Sequence, residues 1–398
     1  MTVALASARR WPVISALGIV QIFTWGSSFY LMTVLAKPIA IDTGWPFSLV
    51  IGALSAALLA AGFASPAVGA AITRRGGRHV LAAGCVVLAA GLVTIALAPS
   101  LWVFYAGWLV LGCGMAAGLY DPAFATLGQL YGRDARSAIT ALTLWGGFAS
   151  TVCWPITTLL LENFGWRGAA AAYAAIHLFG TLPLILWVIP RAPRQSSNER
   201  REPLPEVAMV GPERLAFALM AALLVLAGLV SANLTVHLLT LLQAQGHTLA
   251  AAVALGTLFG PAQVGARVVE MASGGRHHPI WTLGIAMTSV AAGIILLAAE
   301  LGVAGGALIL FGAGNGLFSI ARGALPLAMF GPDRYPRIMG RLARPALLSQ
   351  AAAPLLGALS LRWWGPDVTL LAISALATTN VALAAYLWYI LRRYDRPR

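Results

Sequence analysis

Charge is scarce in this chain. Only 10% of its 398 residues are Asp, Glu, Lys or Arg, whereas 59% are hydrophobic and the mean hydropathy is +0.82. A water-soluble domain of this length needs far more charge to cover its surface, so the composition excludes an ordinary soluble fold. The formal net charge of +13 comes from arginines placed between apolar runs. Membrane topology explains them better than a nucleic-acid partner does, and we expect none.

Metal-binding and catalytic patterns are missing as well. The three cysteines, Cys85, Cys113 and Cys153, are scattered through apolar runs, which gives neither a disulfide framework nor a metal spacing. His277 and His278 have no Cys or carboxylate at metal-ligand spacing, so we expect no metal and no cofactor. The chain has no G-x-x-x-x-G-K-[ST] loop, which argues against ATP as the energy source, and it shows no enzyme signature.

Long apolar runs are what the sequence has in abundance. Runs of 18 or more residues recur along the whole length, and each can cross the roughly 30 Å of bilayer hydrocarbon as a helix. The alternating pattern of a membrane barrel is absent. We therefore predict an all-α membrane protein with about twelve transmembrane helices, at 11–36, 46–72, 79–98, 101–131, 136–160, 166–189, 214–242, 248–273, 279–299, 302–330, 335–360 and 366–391.

One long polar stretch interrupts this series. Residues 190–213 are rich in Pro, Arg and Glu, which is typical of a solvated linker. It predicts a six-helix bundle over 1–189, a cytoplasmic linker over 190–213 and a second bundle over 214–398. The N-terminus has no A-x-A-like cleavage site after a short apolar core, so we expect a retained first helix from Trp11 onward.

The basic residues indicate the orientation. With the N-terminus inside, twenty of them fall in inner loops and tails, and Lys37, Arg167 and Arg362 fall outside. This positive-inside asymmetry predicts that both termini are cytoplasmic in a cell inner (plasma) membrane.

The two predicted bundles also resemble each other. Three landmarks recur 198 to 200 residues apart: Gly-Gly-Arg-His at 76–79 and 274–277, Gly-x-Gly at 112–114 and 312–314, and Pro155 and Pro354. A parallel repeat of six helices is the plan of major facilitator transporters, in which the substrate site lies near the membrane midplane.

A loop motif carries the same resemblance. Residues 69–78, Gly-Ala-Ala-Ile-Thr-Arg-Arg-Gly-Gly-Arg, resemble the major facilitator signature G-x-x-x-D-R-x-G-R-R. The positions that match and are expected to act in gating are Gly69, Arg74, Gly76 and Arg78. Thr73 stands where the family usually has Asp, which puts that latch in doubt.

Within the superfamily the chain looks most like the monocarboxylate porters and their oxalate–formate relatives. Asp121-Pro122-Ala123 stands where those proteins often have Asn-Pro-Ala, and 164–168 reads Phe-Gly-Trp-Arg-Gly, like their FGWRG turn. Gln263-Val-Gly-Ala-Arg267 resembles the family's D-x-x-x-R. The resemblance implies that Arg267 binds the substrate carboxylate, whereas Gln263 in place of Asp puts family-type proton coupling there in doubt.

Charged residues inside predicted spans are costly and therefore point to pairs, cavities or function. Arg267 either binds an anion with its planar guanidinium or neutralises Glu270, one turn away. Arg322 is either a second anion contact or a salt-bridge partner of Glu270 or Asp121. Asp121 and then Glu270 are the candidate proton carriers, because a desolvated carboxyl can hold a proton.

Neutral residues complete the predicted binding site. Gln21, Trp25 and Ser28 share one helix face by their spacing, and Tyr30 follows them. Asn233 and His237 are also one turn apart. For each of these, packing and hydrogen bonding between helices is the alternative to a role in transport.

We interpret the chain as a secondary active transporter for a small organic anion, most simply a monocarboxylate. It would work by alternating access as a monomer in the lipid bilayer, driven by protons in symport or by anion exchange. An efflux porter for an amphiphilic or drug-like compound is the first alternative, although it would want a more acidic cavity. A non-transporting membrane receptor or assembly partner is the alternative of another class.

Overall fold

The structure is a computed structural model, and it describes residues 10–191, 209 and 211–394. Within these ranges every regular element is helical. The α-helices are α1 Arg10–Gly26, α2 Leu31–Thr43, α3 Phe47–Arg75, α4 Gly77–Ala96, α5 Leu101–Gly118, α6 Tyr120–Tyr131, α7 Ala135–Gly147, α8 Ala149–Ala175, α9 Leu182–Val188, α10 Pro212–Ala244, α11 Leu249–Gly256, α12 Phe259–Ala272, α13 Pro279–Ala298, α14 Ala304–Phe330 and α15 Tyr335–Tyr394. A 3₁₀ turn lies at Gly132–Asp134 and a π-helix at Ile176–Thr181.

The helices are long and apolar, as predicted. In the described part of the chain, nine continuous helical stretches are long and apolar enough to cross a membrane. Leu101–Val188 has 88 residues and Tyr335–Arg393 has 59, far more than the 20 or so that one crossing needs. The all-α membrane fold is confirmed, whereas the number of twelve crossings stays a prediction.

Two glycines produce corresponding turns inside these long stretches. Gly165 interrupts α8 with φ 68° and ψ 177°, and Gly365 interrupts α15 with φ 79° and ψ 176°. This conformation is open essentially only to glycine, because a Cβ would clash with the neighbouring peptide. The two turns are 200 positions apart, within the range of 198 to 200 that separates the other repeated landmarks.

The chain divides into two compact units. Unit 1 comprises Met1–Leu204 with Met329–Arg344, and unit 2 comprises Pro205–Ala328 with Pro345–Arg398. The first turns of α15 therefore pack with the N-terminal helices. The predicted bundles over 1–189 and 214–398 stay a prediction, and most of the linker over 190–213 lies outside the described residues.

Glycines on α5 set the packing of unit 1. A side chain on Gly112 would clash with the Ala57 carbonyl of α3, and a Cβ on Gly114 would stand 2.8 Å from the Leu88 nitrogen of α4. Lipid chains are as apolar as the helices, so close backbone approach of this kind supplies much of the attraction between membrane helices. The Gly-x-Gly motif therefore fixes how α5 lies against α3 and α4.

Unit 2 repeats this arrangement. A Cβ on Gly312 of α14 would stand 2.7 Å from the Phe259 carbonyl of α12, and one on Gly314 would stand 2.7 Å from the Ala286 carbonyl of α13. The same motif thus holds one helix against two neighbours in each unit. This is the pseudo-repeat that the sequence landmarks predicted.

Candidate functional site

In unit 1 the first predicted span is broken, and four of the predicted substrate contacts lie in the break or in the last two turns of the helix before it. Helix α1 ends at Gly26 and α2 begins at Leu31. Gln21 is fully buried and its Nε2 donates to the Gly118 carbonyl at the end of α5 (2.8 Å). Ser28 is also fully buried, and its hydroxyl donates to the Thr24 carbonyl, one turn earlier in the chain. Both residues therefore bind backbone at helix ends.

Trp25 and Tyr30 have aromatic surroundings instead. Both are half-buried, and their ring centroids lie 6.2 Å apart. Trp25 also lies 5.2 Å from the ring of Tyr120 on α6, and Tyr30 lies 6.2 Å from that of Trp154 on α8. The break in the first span is thus a place where rings from three parts of unit 1 meet.

Asp121 lies in the first turn of α6, directly after a break at Leu119. It is half-buried and borders a small, partly open cleft within unit 1. The other lining residues come from α3, α5, α6 and the start of α15: Ser65, Val68, Gly69, Ile72, Ala116, Pro122, Ala125, Pro336, Met339 and Gly340. A carboxylate in such a first turn is favourably placed, because the helix N-terminus is electropositive.

The residues of the loop signature at 69–78 make different kinds of contact. Gly69 faces Gly340 so closely that a Cβ on it would stand 3.2 Å from the Gly340 Cα, and Gly76 ends α3 with φ 78°. Arg78 donates to the Leu186 carbonyl near the end of α9, while Arg74 is exposed. The hydroxyl of Thr73, in the position of the usual Asp, donates to the Gly69 carbonyl of its own helix (3.0 Å).

Arg267 is the buried cation of α12, in unit 2. Only 5% of its surface is exposed, and its Nη2 donates to the Oε1 of Gln263 one turn earlier (3.1 Å). The two residues that resemble the family's D-x-x-x-R therefore contact each other. Gln263 orients the guanidinium through a neutral amide, where the family's Asp would have neutralised it.

Glu270, three residues further along α12, is 8% exposed. Its carboxylate accepts from the Thr282 hydroxyl of α13 (2.9 Å) and lies 3.3 Å from the His277 Nε2. His277 therefore has a carboxylate neighbour in the structure, although no carboxylate stands at metal-ligand spacing from it in the sequence. The fold of the α12–α13 connection brings the two together, and residue spacing alone did not indicate it.

Asn233 and His237 bind one short stretch of α15. The Asn233 Nδ2 donates to the Ala353 carbonyl (3.0 Å), and the His237 Nε2 lies 3.1 Å from the Pro354 carbonyl. A Cβ on Gly357 would stand 2.6 Å from the His237 ring. These contacts are the hydrogen bonding between helices that was the alternative to a transport role.

Arg322 lies half-buried on α14.

Three polar residues that the sequence patterns did not indicate lie elsewhere in unit 2, on α10, α14 and α15. The Ser231 hydroxyl donates to the Asn315 Oδ1 (2.6 Å), and both side chains, with Asn380, border a small cavity. Each of these residues is an isolated polar residue in an apolar helix, so no sequence spacing indicated that they would lie together.

A fully buried histidine in unit 1 was also missed. The Nε2 of His177 lies 2.7 Å from the Ser27 hydroxyl at the break after α1, and its Nδ1 lies 3.1 Å from the Thr181 hydroxyl. Thr181 in turn donates to the Cys85 sulfur of α4 (3.3 Å). His177 belongs to the π-helix, an irregularity that is frequent at functional sites. The position is marked by this departure from regular helix, which no sequence pattern predicted.

The FGWRG turn acts as a structural clamp. The indole Nε1 of Trp166 donates to the Asp42 carboxylate (2.8 Å), and the Arg167 guanidinium pairs with the same oxygen (2.7 Å). Arg167 also stacks on the Trp166 ring at 4.1 Å and donates to the Ala98 carbonyl (3.4 Å). The turn thus ties α8 to the end of α2 through Asp42, a partner that the motif itself does not contain.

Comparison with protein families gives a match over most of the chain. The family model described as Major Facilitator Superfamily matches residues 17–314. Among curated proteins, human Monocarboxylate transporter 11 is 35% identical over 164 residues, which is 39% of this chain and 33% of that protein. The mouse protein of the same name is 34% identical over 189 residues, covering 46% of this chain and 39% of its own length. The aligned part thus spans well under half of these relatives.

Solved structures resemble this one along nearly the whole chain. The human organic anion transporter MFSD10 (TETRAN) superposes with a TM-score of 0.75 at 16% identity, covering 94% of this chain and 99% of that one. The proton:xylose symporter XylE superposes with a TM-score of 0.75 at 12% identity, with 96% of each chain covered. At such low identity these likenesses establish the fold alone.

Proposed function

Because the chain belongs to the major facilitator superfamily, we propose that it is a secondary active transporter whose substrate is a small organic anion, a monocarboxylate. The family and the apolar helices make it a multi-pass membrane protein with a small-molecule substrate. The resemblance of the chain to this superfamily and, within it, to the monocarboxylate branch is thereby confirmed. Substrate charge and driving force go beyond family membership and depend on particular buried residues of this chain.

The buried Arg267 is the observation that carries the anionic substrate. A guanidinium keeps its charge under all physiological conditions, and placing a charge in the centre of a membrane helix costs about 3 kcal/mol on insertion scales. Arg267 is nevertheless 5% exposed, with its Nη2 held by Gln263. A planar carboxylate matches the guanidinium geometry and forms a charge-assisted hydrogen bond with it. The two relatives reported above are named as monocarboxylate transporters, which agrees with this assignment.

The same unit supports proton coupling. Glu270 is buried on the helix that carries Arg267, and its carboxylate contacts both His277 and Thr282. Buried carboxylates and histidines in contact are the groups from which proton relays in membrane transporters are built. Asp121, half-buried in unit 1, is the other candidate carrier. We propose proton symport or anion exchange as the driving force, with the chain in the cell inner membrane and both termini cytoplasmic.

The deciding experiment is equilibrium binding of small carboxylates to the purified full-length chain. A charge-assisted hydrogen bond contributes about 1.5–3 kcal/mol, so Arg267→Ala should weaken binding by roughly one to two orders of magnitude. Arg267→Lys should weaken it less than Ala but clearly, because lysine keeps the charge and loses the planar fork. Arg362→Ala, at an exposed arginine of the same unit, is the matched control.

A double variant separates the two roles of Arg267. If its task were only to neutralise Glu270, Arg267→Ala would destabilise the protein and Arg267→Ala with Glu270→Ala would restore both stability and transport. Full carboxylate binding by a stable Arg267→Ala protein would refute the anion site. Reporter fusions at the C-terminus test the orientation, and phosphatase activity there would contradict cytoplasmic termini.

A further inference from the structure

The tetrapeptide Gly-Gly-Arg-His occurs once in each unit, at 76–79 and at 274–277, and the two copies fold differently. In unit 1 only the first glycine, Gly76, has a positive φ, of 78°, and α4 begins at the next residue. The histidine of this copy, His79, is exposed on the first turn of α4, where its Nδ1 lies 3.0 Å from the Arg75 carbonyl. In this copy the ring thus contacts backbone.

The second copy lies outside regular helix. Gly274 and Gly275 both have positive φ, 64° and 69°, a conformation that glycine adopts at little cost, and α13 begins only at Pro279. The chain turns back toward the last turn of α12, and the His277 Nε2 comes to lie 3.3 Å from the Oε2 of Glu270. In unit 2 the same four residues therefore bring a histidine to a buried carboxylate.

The hydrogen bonds around Glu270 indicate where the imidazole carries its proton. The Thr282 hydroxyl donates to the Glu270 Oε1 (2.9 Å), and its oxygen lies 3.2 Å from the His277 Nε2. A hydroxyl has one proton to donate, so this oxygen accepts from an Nε2–H group. The same Nε2–H faces the second carboxylate oxygen at 3.3 Å. The ring therefore presents a proton directly to Glu270.

Burial makes His277 the connection between Glu270 and water. Glu270 is 8% exposed and Thr282 is 1% exposed, whereas 33% of the His277 side chain is exposed. The Thr282 hydrogen bond already joins α12 to α13 through Glu270, so this tie between the helices does not need an imidazole. The neighbouring His278 has another task, because its Nδ1 accepts from the Ile280 backbone N–H at the start of α13 (3.3 Å). Imidazole is the side chain that takes up and releases protons near neutral pH.

The other charged groups near this contact are arginines. Arg267 lies one turn before Glu270 on α12, Arg276 lies in the connection, and α13 carries no charged residue. Helix α14, which packs against both α12 and α13, carries only Arg322. On α15, Arg392 stacks on the ring of Trp388, which in turn contacts α13. Because arginine does not release its proton, none of these groups replaces the imidazole as a proton donor to Glu270.

We propose, on the basis of the proposed function with Glu270 as a proton carrier, that His277 carries protons between cytoplasmic water and Glu270. The neutral ring takes a proton from water and becomes imidazolium. It then gives its Nε2 proton to the Glu270 Oε2, which leaves a neutral imidazole and a neutral carboxylic acid. Release follows the same steps in reverse. The neutral acid is the form of Glu270 that is less costly to bury in the membrane interior.

Time-resolved infrared spectroscopy of the purified full-length protein in lipid tests this relay without a substrate. A laser flash releases protons from a caged acid, and the carboxylic acid band that Glu270→Gln removes reports the protonation of Glu270. His277→Gln can still donate a hydrogen bond but cannot pass on a proton. We expect it to slow this band at least roughly tenfold, since positioned acid–base groups typically contribute about 10²–10⁴-fold to a proton transfer. His79→Gln, at the histidine of the first copy, is the matched control and should keep the wild-type rate.

Chemical rescue distinguishes proton transfer from a structural role. Imidazole added to His277→Ala should restore the rate of Glu270 protonation in proportion to its concentration, because it supplies the missing proton carrier. A wild-type rate in His277→Gln, or no effect of imidazole on a folded His277→Ala protein, would overturn the relay. In the wild-type protein the imidazolium band should appear before the carboxylic acid band. The reverse order would also overturn the relay, and this measurement needs no variant to fold.

Carboxylate binding separates the relay from the proposed function. Fast protonation of Glu270 in His277→Gln, with binding that still depends on Arg267, would refute the relay and leave the anionic substrate intact. Slowed protonation in a protein that binds no carboxylate would refute the anionic substrate and support the relay. A Glu270 carboxylate that takes up no proton over the whole pH range in which the protein is folded would refute both the relay and Glu270 as a carrier.

Discussion

The two units share a packing frame and differ in what they bury within it. In unit 1, Gly112 lets α5 approach α3, and in unit 2, Gly312 lets α14 approach α12. Unit 1 nevertheless places neutral polar groups and rings around its helix breaks, whereas unit 2 buries Arg267 and Glu270, of opposite charge, on one helix. The repeat thus preserved backbone contacts while the buried chemistry diverged, as is usual when one fold carries different sites.

The glycine turns show the same divergence on a smaller scale. Gly165 and Gly365 adopt the same backbone conformation. The first turn is secured by the Asp42–Arg167 ion pair at 2.7 Å. At the second, the Thr369 hydroxyl donates to the Gly365 carbonyl (2.7 Å) and lies 2.8 Å from the Ser360 hydroxyl. Backbone geometry is common to the units, and the side chains that stabilise it are not.

Substitutions at the glycine contacts that the two units share should destabilise each unit more than any other change considered below. Gly112→Val and Gly312→Val each push a branched side chain against a carbonyl of the neighbouring helix. Overpacking usually costs about 1–3 kcal/mol and more where backbone cannot move, so we expect little or no folded protein. Gly306→Val on α14, which has open space around it, is the control. Folded yield by size-exclusion chromatography measures the effect, and normal yield for either variant would show that its unit does not depend on this contact.

Each unit contains one candidate proton carrier, Asp121 in unit 1 and Glu270 in unit 2. If Asp121 is the carrier, Asp121→Asn should abolish uphill accumulation of substrate while leaving exchange across the membrane intact, because the amide cannot release a proton. Glu270→Gln makes the same forecast for unit 2. Asp134→Asn, at an exposed aspartate of unit 1, is the control. Unchanged accumulation rules out the residue concerned, and loss of exchange as well would indicate a structural role.

The glycine turns should respond equally in the two units. Gly165→Ala and Gly365→Ala force a Cβ into a conformation that is accessible essentially only to glycine, which costs roughly 1–3 kcal/mol. Apart from the adjoining residues of the chain, neither position has an atom within 4 Å of the new methyl group, so local backbone strain decides the result. Thermal unfolding of both variants checks it. A fall in only one melting temperature would mean that the turns are not equivalent.

Removing the side-chain contacts that secure these turns should lower stability the least. Only the contact in unit 1 should depend on salt concentration. The Asp42–Arg167 pair is about half exposed, and exposed ion pairs are weak and screened by ions. Asp42→Asn should lower the melting temperature less than Gly165→Ala does, and the difference from wild type should shrink at high salt. Ser360→Ala in unit 2 should show no salt dependence. The same salt response in both variants would contradict an electrostatic clamp in unit 1.

Much of the architecture was predictable because bilayers impose simple rules. Apolar runs longer than 18 residues predicted the helices, and the recurrent glycine motifs predicted the repeat. Motif resemblance brought Gln263 and Arg267 together correctly, since residues four apart on a helix share a face. The Glu270–His277 contact was missed because it depends on how the chain turns after α12.

Spacing along one helix was a poorer guide to what its polar residues touch. Gln21, Trp25 and Ser28 were grouped by periodicity, yet Gln21 binds the end of α5, Ser28 the chain one turn before it, and Trp25 the ring of another helix. Helical periodicity shows which side of the helix a side chain lies on, but it does not show which neighbouring helix packs against that side. Their roles as substrate contacts stay predictions.

By itself the sequence determined the class of protein. Its hydropathy, glycine landmarks and loop signature are all patterns of local composition and spacing. They suffice because each segment that crosses a bilayer must satisfy its own backbone hydrogen bonds. Only the tertiary structure decided which polar groups meet. Asp42 and Arg167 are 125 positions apart, and Ser27 and His177 are 150 apart. Such pairs form when helices distant in sequence pack side by side, and no local pattern encodes the partner.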